Sequence, residues 1–423
     1  MLQLNEIETL ACGGLSLLVG YFVLERLPLL QRLNIPAPVI GGLLTAVAVM
    51  LARHTKLQTV TFDVGLQSPL MIAFFTSIGC NASVSLLRAS GRQVVIFLGL
   101  AALLGLLQSL LGMGIATAFG LHPLFGVLAG TATLAGGPAT GLAFAPLFEQ
   151  AGLTGAQGIA VASAMAGIVC GGLFGGPVGS WFVQRYKLKT PAAAGSQYEA
   201  HNAARAEPEL QTRRAFGQDN CGTGAAGDAV SSGIAAGLVY RVIKTLVLIL
   251  VCMWIGAGIS AWLTARGIRL PDYIGAMIVG ALIRNLDDFT GWFGLARGTI
   301  EGVGTICLAF FLALALMNLK LWELSGLALP LLINITAQVA LVVAFCAWPL
   351  FAVMGRDYDA AVIAGGFTGF MLGITANAMA VMQAMVERNG PAPRAFLVVP
   401  LVGAFFIDFT DTFIIMVLLN LLR

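Results

Sequence analysis

Two aspartates, Asp408 and Asp411, stand inside the otherwise apolar run Ala395–Leu421, with Thr410 and Thr412 beside them. On a helix, Asp408, Asp411 and Thr412 share one face, because residues three and four apart are neighbours. An ionisable group at membrane depth costs at least ~2.5 kcal/mol even on lenient insertion scales, so it marks a candidate functional site. Cation binding or substrate contact is the chemistry it suits. The plainer alternative is that Asp411, nearer the outer end, is solvated at the interface.

A second set of candidates is neutral. Thr131, Thr133 and Thr140 lie among Gly130, Gly136, Gly137, Pro138 and Gly141, while Thr368, Thr375 and Asn377 lie among Gly365, Gly366, Gly369 and Gly373. Glycine and proline make a poor continuous helix. Irregular backbone at membrane depth survives only where protein buries it or water wets it. Half-helices that start at such a break aim partial positive charge at it, which suits a carboxylate, and freed carbonyls suit a small cation. The bland alternative is close packing of small residues. Asn81 and Asn318, near the ends of two other apolar runs, are candidates for capping broken backbone or holding a cation.

The elements that must position these groups are membrane spans. The chain has 423 residues, 58% of them hydrophobic and only 10% charged, with a mean hydropathy of +0.90. A soluble domain is nearer a quarter charged, so the composition predicts an all-α polytopic membrane protein. Candidate spans fall near 7–24, 37–52, 68–84, 94–119, 158–183, 239–264, 271–286, 301–318, 324–354 and 395–421. Two further apolar stretches, 122–149 and 357–387, are interrupted by the glycines above and read as re-entrant hairpins. The N-terminus lacks the basic region of a cleaved signal peptide, so the first run reads as a retained span.

With the N-terminus outside, 17 of the 23 Lys and Arg residues fall on inner loops and 6 on outer ones. The positive-inside rule therefore puts both termini outside. Residues 187–238, rich in Ala, Gly, Ser, Gln and charge, read as a cytoplasmic linker between 1–186 and 239–423. Those halves match at a shift of about 236 residues: Ala73-Phe-Phe75 on Ala309-Phe-Phe311, Gly130 on Gly366, Gly137 on Gly373. Asn81 and Asn318 pair to within one residue of that shift. Five spans is an odd number, so the second half enters from the opposite side. The expectation is two inverted repeats whose hairpins dip from opposite faces and meet near the midplane, as in secondary transporters.

Other chemistry is poorly supported. The seven cysteines and three histidines are scattered, so a disulfide framework or zinc site is not expected. No HExxH, GxSxG or P-loop occurs, which argues against an enzyme. No basic tract interleaves with aromatics, which argues against nucleic acid. Gly167, Gly171, Gly175 and Gly179 form a close-packing stripe. A passive channel built on the same hairpins is the rival reading from another class.

Several blocks resemble the bacterial sodium–glutamate symporter family: Pro69-Leu-Met-Ile-Ala-Phe-Phe75, Leu128-Ala-Gly130, Leu314-Ala-Leu-Met317 and, longest, Ala395-Phe-Leu-Val-Val-Pro400-Leu-Val-Gly-Ala-Phe-Phe-Ile-Asp408. The resemblance implies electrogenic, sodium-driven uptake of L-glutamate or a related small carboxylate across the bacterial inner membrane. It also implies a homodimer, no cofactor beyond the coupling Na⁺, and a substrate-carrying core that moves against a fixed scaffold. The substrate candidates are then Thr131, Thr133, Gly136, Gly137, Thr140, Thr368, Gly369, Gly373, Thr375 and Asn377. The Na⁺-path candidates are Asp408, Asp411, Asn81 and Asn318. The loop Gly136-Gly-Pro-Ala-Thr140 departs from the family's usual Gly-Gly-His-Gly-Thr, and Phe367, Ala376, Asn377 and Val381 depart in the second loop.

Overall fold

The computed structural model describes residues 2–33, 35–54, 60–85, 91–188, 225–266, 272–292, 294–319 and 326–422. Helix α1 (Glu6–Arg26) starts at Asn5, whose side chain caps the Glu8 amide while Glu8 returns to the Asn5 amide, each at 2.9 Å. The pair satisfies two N–H groups that a helix start leaves unbonded. Then follow α2 (Pro28–Arg32), α3 (Ala37–His54) and α4 (Gln67–Gly79), with a short parallel pairing of β1 (Leu2–Leu4) and β2 (Val60–Phe62). Helix α5 (Arg92–Ala118) leads to α6 (Leu124–Val127), a wide π turn at Leu128–Ala132, α7 (Gly137–Gln150) and the long α8 (Ala156–Arg185).

The second half is also helical in every described element. It runs through α9 (Ala225–Ala265), α10 (Asp272–Thr290) and α11 (Arg297–Met317). It continues as α12 (Ala328–Phe345), a π turn at Cys346–Leu350 and α13 (Phe351–Val353), then α14 (Tyr358–Met371) and α15 (Thr375–Asn389). It closes with α16 (Pro393–Leu401), a π turn at Val402–Phe406 and α17 (Ile407–Leu421). Both later π turns sit at a proline, Pro349 inside the turn and Pro400 just before it. A ring without an N–H displaces the carbonyl one turn back, and a wider turn absorbs the shift.

Every expected span contains helix, and six are long and apolar enough to cross a bilayer on their own. These begin at Glu6, Arg92, Ala156, Val239, Arg297 and Ala328. The chain is a multi-pass α-helical membrane protein. Large apolar side chains such as Leu15, Leu173, Leu250 and Trp254 are exposed, as they must be where hydrocarbon is the solvent. Of the linker expected at 187–238, residues 189–224 lie outside the described residues. Over 225–238 the backbone is helical and continuous with α9.

The helices sort into two sets by what they pack against. One set is α1, α3, α4, α9, α10 and α11; the other is α5 to α8 with α12 to α17. Within the first set glycines bring backbones together: Gly20 faces the Ala37 carbonyl, Gly41 that of Ser16, and Gly79 that of Met277. Contact between the sets is thinner and apolar: Val39, Phe311 and Leu312 pack with Leu142 and Val161, and an aromatic group lies beside them. Tyr273 of the first set lies 4.7 Å from Phe75 and 5.6 Å from Phe144 of the second set's α7.

In the second set, the glycine stripe of α8 lies along α14. Gly167, Gly171, Gly175 and Gly179 face the carbonyls of Leu372, Gly369, Gly365 and Ala361 in turn. A Cβ at Gly167 would meet the Leu372 oxygen at 2.4 Å, whereas one at Gly172 would meet nothing within 4 Å. Gly167→Ala should therefore destabilise by about 1–3 kcal/mol. Gly172→Ala should be neutral or mildly stabilising, by up to about 1 kcal/mol of helix propensity. Thermal unfolding of the two purified variants checks the pair; equal midpoints would show that the stripe is not under steric constraint.

Candidate functional site

The first broken element fails as a helix at Gly130, whose backbone takes φ −107°, ψ −121°. Beyond it, Thr131 O accepts from the amides of both Ala135 and Gly136 at 3.1 Å. Helix α7 then starts at Gly137, where φ is +69°, a region that glycine enters without strain, and Pro138 occupies its first turn. The second element ends α14 at Met371, passes Leu372-Gly373-Ile374 and restarts as α15 at Thr375. The two tips touch: a Cβ on Gly137 would lie 3.1 Å from Ile374 Cγ2.

Two carbonyls at the breaks are answered by side chains from the surrounding spans, and further buried bonds tie the broken elements to their neighbours. Asn334 Nδ2 donates to Ala129 O at 2.7 Å, and Gln108 Nε2 donates to Met371 O at 3.0 Å. Gln338 Nε2 donates to the Gln108 carbonyl at 2.8 Å, and Asn377 Nδ2 to Ile168 O at 2.7 Å. Thr131 Oγ1 donates to Asp411 Oδ1 at 3.1 Å. All six of these side-chain residues are fully buried. An unmet carbonyl there would cost about 1–3 kcal/mol, so the network is what lets the breaks exist.

On one side of the tips lies a cavity of about 660 Å³. The second helix set contributes Gly136, Pro138 and Ala139 from the first tip, Ile374, Thr375 and Ala376 from the second, and Gly403, Ile407 and Asp408 from the last span. The first set contributes Gln31, Ile35, Pro36, Phe74, Thr305, Leu308 and Leu312 among others. The N-termini of α7 and α15 both end at its wall, and each carries partial positive charge from unbonded N–H groups. Asp408 is half-buried and brings the negative charge. Among the described residues no three His, Cys, Asp or Glu side chains converge as a metal site.

The description sodium/glutamate symporter attaches to the family model that matches residues 2–220 and 226–391. The sodium/glutamate symporter of Escherichia coli (strain K12) is 39% identical over 422 residues, covering 100% of this chain and 99% of that protein. The Haemophilus influenzae sodium/glutamate symporter is 39% identical over 402 residues, covering 95% and 94%. The chain belongs to the sodium/glutamate symporter family. It is thereby a transporter and not an enzyme.

Within this family member the expected site residues divide between two environments. Gly136, Thr375 and Asp408 line the cavity, and Gly137, Gly369 and Gly373 shape the two tips. Thr375 Oγ1 donates to the Gly403 carbonyl at 2.8 Å, fixing the second tip to the last span. Thr131, Thr133, Thr140, Thr368, Asn377 and Asp411 are buried and none lines the cavity. Thr133 and Thr368 bond back to the Leu128 and Ala364 carbonyls of their own helices. Asn81 is buried beside the start of the loop after α4, while Asn318 is exposed just past α11; neither reaches a tip.

The symporter's polar network also uses Gln108, Asn334 and Gln338, which the glycine and aspartate signals passed over. They carry a readable mark of their own, lone amides in apolar helices, with Asn334 and Gln338 four apart on one face. Asn334→Leu should lower stability by about 1–3 kcal/mol, because it strands the Ala129 carbonyl. Thr336→Leu, on the exposed face of the same helix, should leave it within about 0.5 kcal/mol. Unfolding midpoints of the two variants decide; equal loss would detach the network from the break.

Proposed function

We propose that this chain couples Na⁺ entry to uptake of glutamate, or a closely related small carboxylate, by alternating access across the bacterial inner membrane. The observation that carries the reading is the cavity where two opposed helix N-termini and one carboxylate converge. Two N-termini suit the two carboxylates of glutamate, and Asp408 suits a cation, either the substrate's ammonium group or Na⁺. Family membership and relatives named sodium/glutamate symporters support the substrate and the coupling ion.

The reading takes the two broken elements as re-entrant hairpins of inverted repeats, 1–186 and 239–423. Its support is that each half contributes three helices to one packing set and two, with a broken element, to the other. The thin seam between sets supports an elevator-like motion, with the hairpin-bearing set as the moving core and a homodimer formed by the other. Its cavity draws on Gln31, Ile35 and Pro36, at the positively charged face taken as cytoplasmic, so this conformation is inward-facing with both termini outside.

Reconstituted into proteoliposomes, the protein should accumulate glutamate only under an inward Na⁺ gradient. Accumulation that ignores Na⁺ would sink the coupling, and downhill flux without accumulation would make the chain the passive channel instead. Asp408→Asn should cut Na⁺-driven uptake roughly tenfold or more, the scale of one lost charge-assisted contact. Near wild-type uptake in that variant would remove Asp408 from the site.

A further inference from the structure

We propose that Asp411, Thr131 and Thr412 hold a Na⁺ ion in the sealed core, at a site separate from the cavity that Asp408 lines. The inference rests on the sodium-coupled reading above and adds to it where one ion binds. Asp411 is fully buried. One of its oxygens accepts from Thr131 at 3.1 Å, and the other meets no donor. Among the described residues no Lys, Arg or His forms an ion pair with it. A carboxylate sealed from water without a counter-charge is disfavoured unless it takes up a proton or a cation, and its unpartnered oxygen is free to receive either.

Other buried oxygens have the same deficit. The Thr412 hydroxyl is buried and unpartnered, as are the amide oxygens of Gln108 and Gln338. Gln108 lies one turn along α5 from Gly105, and Gly105 faces the Thr131–Asp411 pair. A Cβ at Gly105 would come within 2.9 Å of Thr131 Oγ1 and 3.3 Å of Asp411 Oδ1. Three of these buried oxygens, that of Asp411 and those of the two amides, can only accept, so lone pairs outnumber donors. A hard monovalent cation takes oxygen ligands and brings no lone pair of its own, so it answers both the charge and the count. Thr131 belongs to the break in the first hairpin and Asp411 to the last span. An ion held by both ties the two together.

The test is thermal unfolding of the full-length purified protein in NaCl, KCl or choline chloride at equal ionic strength. Wild type should be stabilised by Na⁺ in a saturable way and not by the other two, because an ion that binds only the folded state raises its midpoint. Asp411→Asn should be at least as stable without Na⁺ and should lose the Na⁺ response. Thr412→Val, isosteric and less drastic, should keep the fold and raise the half-saturating Na⁺ concentration tenfold or more; it carries the test if Asp411→Asn does not fold. A wild-type Na⁺ response in both variants would make Asp411 a protonated structural acid and overturn the site, as would no response in wild type. Uptake in proteoliposomes separates the two failures. Na⁺-dependent wild-type uptake with either of those results removes only this site, whereas Na⁺-independent uptake removes the coupled reading itself.

Discussion

The constraint on which this structure depends is that hydrocarbon offers a freed carbonyl no hydrogen bond. A helix interrupted at Gly130, or between Met371 and Thr375, exposes backbone that must be answered from within the protein. Asn334 answers Ala129, Gln108 answers Met371, and Asn377 ties the second tip to Ile168 of α8. Each amide reaches across from a different helix than the one it supports. The breaks and the helices around them are therefore one folding unit, and a tip cannot be moved without carrying α5, α8 and α12 along.

That coupling explains the contrast between the two packing sets. Glycine at the α8–α14 contact lets the two backbones approach closely, with Val381 and Met385 of α15 packed against the same stripe. Between the sets the contact is made by side chains, with Tyr273, Phe75 and Phe144 stacked edge to face or tilted. Apolar surfaces of that kind can slide at little cost because hydrocarbon side chains offer no hydrogen bond to fix a register. Close backbone packing within one set and a thinner, apolar contact between the sets are what the proposed motion would require.

Much of this was legible in the residues. The glycine and proline interruptions located both breaks, and the α8 stripe identified a close-packing face. Hydropathy placed helix in every expected span. The partners of the breaks were not found, because a lone Gln or Asn in an apolar helix, even with a second amide four residues on, gains its meaning only from what it faces. Nor could helical periodicity separate Asp408 from Asp411. Three residues apart on one face, they look equivalent in sequence, and the helix–helix contact on Gly105 assigns one to the cavity and the other to the core.

The division of those two carboxylates bears on how transport must work. A carboxylate open to the cavity can exchange its partner whenever the cavity meets water. One sealed behind Thr131 cannot, unless the first broken element moves. If both proposed sites carry cations, the sealed ion can leave only through a rearrangement of the broken element that also lines the cavity at Gly136 and Ala139. Release of substrate and release of that ion then share one structural gate. Coupling of this kind would need no communication over distance, since the proposed ion would sit behind Thr131 while Gly136 and Ala139 of the same broken element line the cavity.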